Sequence, residues 1–121
     1  MTKLDGFGKA KVAIFISGKG SNLKRLIKYS LQKNSKFKIS LIVSNNSKAL
    51  GLKYAKQFRI KKKILCYKNK KKMEKDLIIK LNRDGINIIC LAGFMKIISK
   101  NFIKKFTGKI MNIHPSLLPK Y

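Results

Sequence analysis

Two spacings of apolar residues alternate along this chain. Val12-Ala13-Ile14-Phe15-Ile16 is an unbroken β-favouring run that stops at glycine, the pattern of a strand buried on both faces. Leu23, Leu26, Ile27 and Leu31 then recur at helical spacing from Ser21-Asn22, residue types that favour a helix start. The pair repeats, with a second strand at Ile39 to Val43, a second helix from Ala49 to Phe58, and a weaker third strand at Lys63 to Cys66. Met73, Leu77, Ile78 and Leu81 mark a third helix, for which Gly85 supplies a C-terminal stop. A fourth strand follows at Ile86 to Leu91, then a short helix around Lys100 to Phe106 and a last strand from Ile110 to Ile113. Strands and helices in this alternation predict the α/β class: an open parallel sheet with right-handed crossovers and helices on both faces. No Gly-, Ser- or Pro-rich linker divides the pattern. Residues 1–10 read as an amino-terminal extension and residues 11–121 as one domain.

Composition narrows the function classes. A length of 121 residues suits one domain, and 45% hydrophobic residues supply a core despite a formal net charge of +26. No apolar run approaches the roughly 18 to 20 residues of a membrane span, and Val12 to Ile16 is too short for a signal-peptide core. A cytoplasmic protein with no membrane partner is expected. Cys66 and Cys90 both lie in apolar stretches and read as reduced core thiols. One His and 4 acidic residues leave a metal site almost no ligands, so none is expected.

In open parallel sheets ligands bind beyond the carboxyl ends of the strands. The first such loop is Ser17-Gly18-Lys19-Gly20-Ser21-Asn22-Leu23. Its glycines permit close backbone approach, and free amides at the following helix start favour an anion such as phosphate. Leu23 stands where a dinucleotide motif needs its third glycine, and the Walker A spacing is also absent. A tight turn with no ligand is the alternative. Another loop carries Asn112 and His114, which an extended backbone ahead of Pro115 should point to one side. Imidazole suits proton transfer near neutrality and a carboxamide can donate to a developing oxyanion; a structural histidine is the alternative. The segment Leu91-Ala92-Gly93-Phe94-Met95-Lys96-Ile97-Ile98 can line a pocket for a flat ring, although its apolar composition alone favours core. Eight lysines and one acid between Lys61 and Lys75 would attract polyanions. Lysine is nevertheless dispersed over every helix, and no recognition helix or stacking platform accompanies it, so a specific nucleic-acid partner is not expected.

Read jointly, Ser17 to Leu23, Leu91 to Lys96 and Asn112-Ile113-His114-Pro115-Ser116-Leu117-Leu118-Pro119-Lys120-Tyr121 closely resemble the phosphoribosylglycinamide formyltransferases. These are folate-dependent enzymes of purine biosynthesis within a wider formyltransferase superfamily. The resemblance covers about residues 11–121 and implies the amino-terminal half of a Rossmann-like formyltransferase fold. It implies that Gly20, Ser21 and Asn22, with Pro115, bind the ribonucleotide. It assigns Leu91, Phe94, Met95, Lys96, Ile97 and Ile98 to the 10-formyltetrahydrofolate co-substrate, and more loosely Lys70. Asn112 and His114 would stand at the transfer centre, Asn112 also touching the folate. Two departures bear on activity. Lys19 occupies a position where the family commonly has Asn, and the family continues beyond Tyr121 into a half that carries an Asp for the His and a second wall for the folate. The resemblance therefore implies an enzyme whose isolated amino-terminal half is inactive. A phosphate-binding remnant without catalysis is the alternative, and a basic nucleic-acid-binding protein the third reading.

Overall fold

The computed structural model describes residues 8–113. The expectations for His114, Pro115 and most of the amino-terminal extension lie outside those residues. The first strand already includes Ala10, the last residue of the expected extension.

Five strands form one parallel sheet: β1 Ala10–Ile16, β2 Phe37–Ser44, β3 Lys61–Ile64, β4 Ile88–Leu91 and β5 Lys109–Asn112, in the order β3-β2-β1-β4-β5. The helices are α1 Ser21–Ser30, α2 Lys53–Gln57, α3 Lys70–Arg83 and α4 Lys100–Lys105. Side-chain alternation along β1 explains its unbroken apolar run. Val12, Ile14 and Ile16 join a core under α1 and α2, whereas Ala13 and Phe15 join a second core under α3 and α4. Ile14, Phe15 and Ile16 are each at most 1% exposed, a burial that stabilises the fold by roughly 1.5–3 kcal/mol per side chain.

Three of the boundaries that differ from the sequence reading do so for a local reason. Strand β3 starts at Lys61 instead of Lys63, because pairing with Leu41 to Ser44 at the sheet edge leaves its lysines in solvent. The helix expected from Ala49 to Phe58 is split into a 3₁₀ turn, Leu50–Leu52, and α2, since the Gly51 N–H donates to the Gly18 carbonyl at 2.9 Å rather than to its own helix. Strand β4 starts at Ile88. The Ile86 N–H instead donates to the Leu81 carbonyl and ends α3. Cys66 is exposed, so only Cys90 is a core thiol, and burial pushes that thiol up to about 11.

The two faces of the sheet are covered unequally. Helices α3 and α4 pack over residues of β1, β2, β4 and β5, whereas α1 and α2 leave Met111 of β5 47% exposed on the other side. Among the described residues nothing pairs with the outer edge of β5.

Candidate active site

The strand order reverses between β1 and β4, so the loops that leave the carboxyl ends of these neighbours diverge to opposite faces and open a crevice. One wall is the turn from Ser17 to α1. Gly20 takes φ 74, ψ 29 and caps α1 without any side-chain hydrogen bond, so Ser21 and Asn22 begin the helix but do not cap it. The first intrahelical bond runs from the Lys24 N–H to the Gly20 carbonyl at 3.0 Å. The amides of Ser21, Asn22 and Leu23 are left pointing out of the helix start, a ready anion cradle. Gly51 holds this turn from behind. A Cβ on Gly20 would lie 2.7 Å from the Gly51 Cα, and one on Gly51 would lie 2.6 Å from Ile16 Cδ1, so two backbones meet where only glycine fits.

The opposite wall is the segment from Ala92 to Ile98. Phe94 packs edge-on against Phe15, with ring centroids 5.3 Å apart, and Leu91 and Ile98 are half-buried on the same core. The core reading of this segment fails at Met95 and Ile97, which are each 80% exposed. Lys96 sets its Nζ 5.2 Å above the Tyr67 ring. Burial and the Glu74 carboxylate push the Tyr67 phenol up, so it stays protonated at neutral pH. At the far end of the segment Ser99 caps α4 and binds Glu74 twice, through its Oγ at 2.6 Å and its N–H at 3.2 Å. Lys70 opens α3 behind the Asn69 cap and shares a cavity with Ser99 and Phe102, which sets it near this wall.

Ser17 joins the walls. Its Oγ accepts from the Met95 N–H at 2.8 Å and donates to Asn45 Oδ1. The floor beside them comes from β4 and β5. Leu91 pairs with Asn112, and the Ile113 N–H donates to the Leu91 carbonyl at 3.0 Å. Asn112 is exposed and lies on the sheet face of Ile110, the face that also carries Phe15, Leu91 and Phe94. The carboxamide thus stands one strand from Leu91 and two from Phe15, roughly 5 and 10 Å at ordinary strand spacing.

Sequence reasoning missed Ser17, Asn45, Gly51 and Tyr67. Ser17 stood inside the glycine motif, but nothing local tells that its partner is 78 residues away. Asn45, Gly51 and Tyr67 carried no readable signal.

A family profile described as Formyl transferase matches residues 10–121. The chain belongs to the formyl transferase family. Phosphoribosylglycinamide formyltransferase of Haemophilus influenzae is 42% identical to this formyl transferase chain over 114 residues, 92% of the chain and 54% of that protein. The human protein named trifunctional purine biosynthetic protein adenosine-3 is 41% identical over 116 residues, 93% of the chain and 12% of its own length. The crystal structure of phosphoribosylglycinamide formyltransferase from Brucella melitensis superposes with a TM-score of 0.82 at 35% identity, over 93% of this chain and 60% of that one. This formyl transferase chain thus spans about half the length of the bacterial relative and a smaller part of the human one. Among the described residues there is no helix long and apolar enough to cross a membrane and no cluster of metal ligands.

Proposed function

We propose that the crevice transfers a formyl group from 10-formyltetrahydrofolate to the amine of phosphoribosylglycinamide, in the cytoplasm, and that residues 11–121 supply the two walls and the floor described above as one half of the working enzyme. The observation that carries this reading is the Ser17–Met95 bond. It holds an uncapped helix start, suited to a phosphate, against an exposed apolar segment, suited to a flat ring, with Asn112 on the next strand beyond β4.

In this reading the amides of Gly20, Ser21 and Asn22 hold the ribonucleotide phosphate, and Lys19 adds a cation beside it. Met95 to Ile98, with Leu91, Phe94 and Lys70, form the apolar and cationic seat that the co-substrate would use. That co-substrate supplies the formyl carbon when bound. The Asn112 side-chain N–H donates to the oxygen that becomes negative as the amine attacks, and His114 moves the proton that the amine releases. Pro115 contacts the ribonucleotide in this reading. The open edge of β5 and the exposed Met111 support a further segment completing the sheet on that side.

A formyl-transfer assay on the 121-residue chain, beside a version extended with a related carboxyl-terminal half, tests the proposal. Turnover by the extended protein alone is expected. Equal turnover by both would refute the need for a second half, and phosphate binding without transfer by the extended protein would favour a non-catalytic remnant.

A further inference from the structure

At the mouth of the crevice one chain of hydrogen bonds crosses the ends of three neighbouring strands. The β1–β2 register pairs Ile16 with Ser44, so the next residues, Ser17 and Asn45, leave the sheet side by side. On the other flank of β1 the Ala92 N–H donates to the Phe15 carbonyl at 2.9 Å, and three residues later the Met95 N–H reaches Ser17 Oγ at 2.8 Å. The Ser17 hydroxyl has a single proton. It gives that proton to Asn45 Oδ1 and so faces the Met95 N–H with lone pairs only. Asn45 is itself held in place. Its neighbour Ser44 is fully buried, with a carbonyl that accepts from the Leu65 N–H at 2.8 Å and a hydroxyl that closes a turn on the Asn46 N–H and carbonyl, both at 3.1 Å. Further along the same connection the Gly51 N–H binds the Gly18 carbonyl, so the segment between β2 and α2 grips the glycine turn at two points.

We infer that Asn45 is a positioning residue for the co-substrate wall: it fixes the direction of the Ser17 proton and, through it, the placement of Met95. The inference rests on reading Met95 to Ile98 as the seat of 10-formyltetrahydrofolate. That seat needs an outside support. Met95 and Ile97 are each 80% exposed, and the packing of Phe94 on Phe15 and the Ser99–Glu74 pair hold the segment only before and after them. With Asn45 removed, the Ser17 hydroxyl is free to turn its proton towards the Met95 N–H, where two donors oppose each other and the bond is lost. A small misplacement of a segment that holds a reactant is enough to slow transfer, because the reacting atoms must be kept in contact. The choice of a carboxamide also has a reason. A carboxylate would accept the same proton, but it would set a negative charge close to the helix start that this reading gives to phosphate.

The test has two arms. In the first, hydrogen exchange of the Met95 amide is followed by NMR in the 121-residue chain with no substrate present. Asn45→Leu should speed that exchange about fivefold, the equivalent of one ordinary hydrogen bond. Asn45→Ala, a smaller change, should act in the same direction, and Asn45→Asp, which can only accept, should leave the exchange slow. In the second arm, formyl transfer is assayed in the protein extended with a related carboxyl-terminal half. Asn45→Leu should raise KM for 10-formyltetrahydrofolate by about the same factor with kcat little changed. In a Ser17→Ala background it should add nothing, since both substitutions act on one bond. Asn45→Asp should keep that KM and raise the one for phosphoribosylglycinamide instead. Unchanged Met95 exchange in both Asn45→Leu and Asn45→Ala, or a KM effect that adds in full to that of Ser17→Ala, would overturn the assignment. An extended protein that transfers no formyl group would refute the proposed function alone, and the exchange arm would still decide the role of Asn45.

Discussion

The two walls of the crevice are built by opposite means. Past Ser17 the glycine turn is fixed through backbone: Gly20 against Gly51, the Gly51 N–H on the Gly18 carbonyl, and no side chain at the helix cap. The facing segment is fixed by side chains at Phe94, Ser99 and Lys96, and between these anchors Met95 and Ile97 stand in solvent. A wall made of amides is complete as it stands, because phosphate needs donors and little else. A wall that exposes two large apolar side chains is unfinished until a ligand or another segment covers it.

The comparison is most easily broken at the floor the two walls share. In the extended protein Asn112→Ala should lower turnover by about 10²–10³, the usual cost of one oxyanion donor. Its melting temperature should not move, since Asn112 is exposed. A matching loss of stability would make Asn112 structural. Next comes Gly20→Ala, which forces a Cβ onto the Gly51 backbone at φ 74 and should cost about 2–4 kcal/mol by urea titration. A cost below that range would show the turn to be loosely held. Ser17→Ala removes the tie between the walls. It should cost about 1 kcal/mol and raise KM for both substrates of the extended enzyme, and an effect on one alone would show the walls to be independent. The smallest stability change belongs to Met95→Gln and Ile97→Gln, within about 0.5 kcal/mol because both are exposed. Folate affinity should fall clearly in the same variants.

The same contrast explains what could be read in advance. Buried strands announce themselves, since Val12 to Ile16 must be apolar on both sides to lie between two helical layers. An edge strand need not, and β3, written Lys-Lys-Lys-Ile, is a strand only because β2 offers it an edge. The glycine turn was legible because its chemistry is local: glycines followed by a helix start. Gly51 was not, since its role exists only when residues 31 positions away fold against it. The exposure of Met95 and Ile97 was unreadable from composition for a related reason. An apolar residue that waits for a ligand looks like one that fills a core.

The most direct test of the account is an amide NMR titration of the 121-residue chain with phosphoribosylglycinamide. Binding through the backbone at the helix start predicts that the largest shifts fall on Gly20, Ser21, Asn22 and Leu23 and that Gly20→Ala abolishes them. Saturable binding that leaves those amides unmoved, or that survives Gly20→Ala in full, would contradict the proposed site.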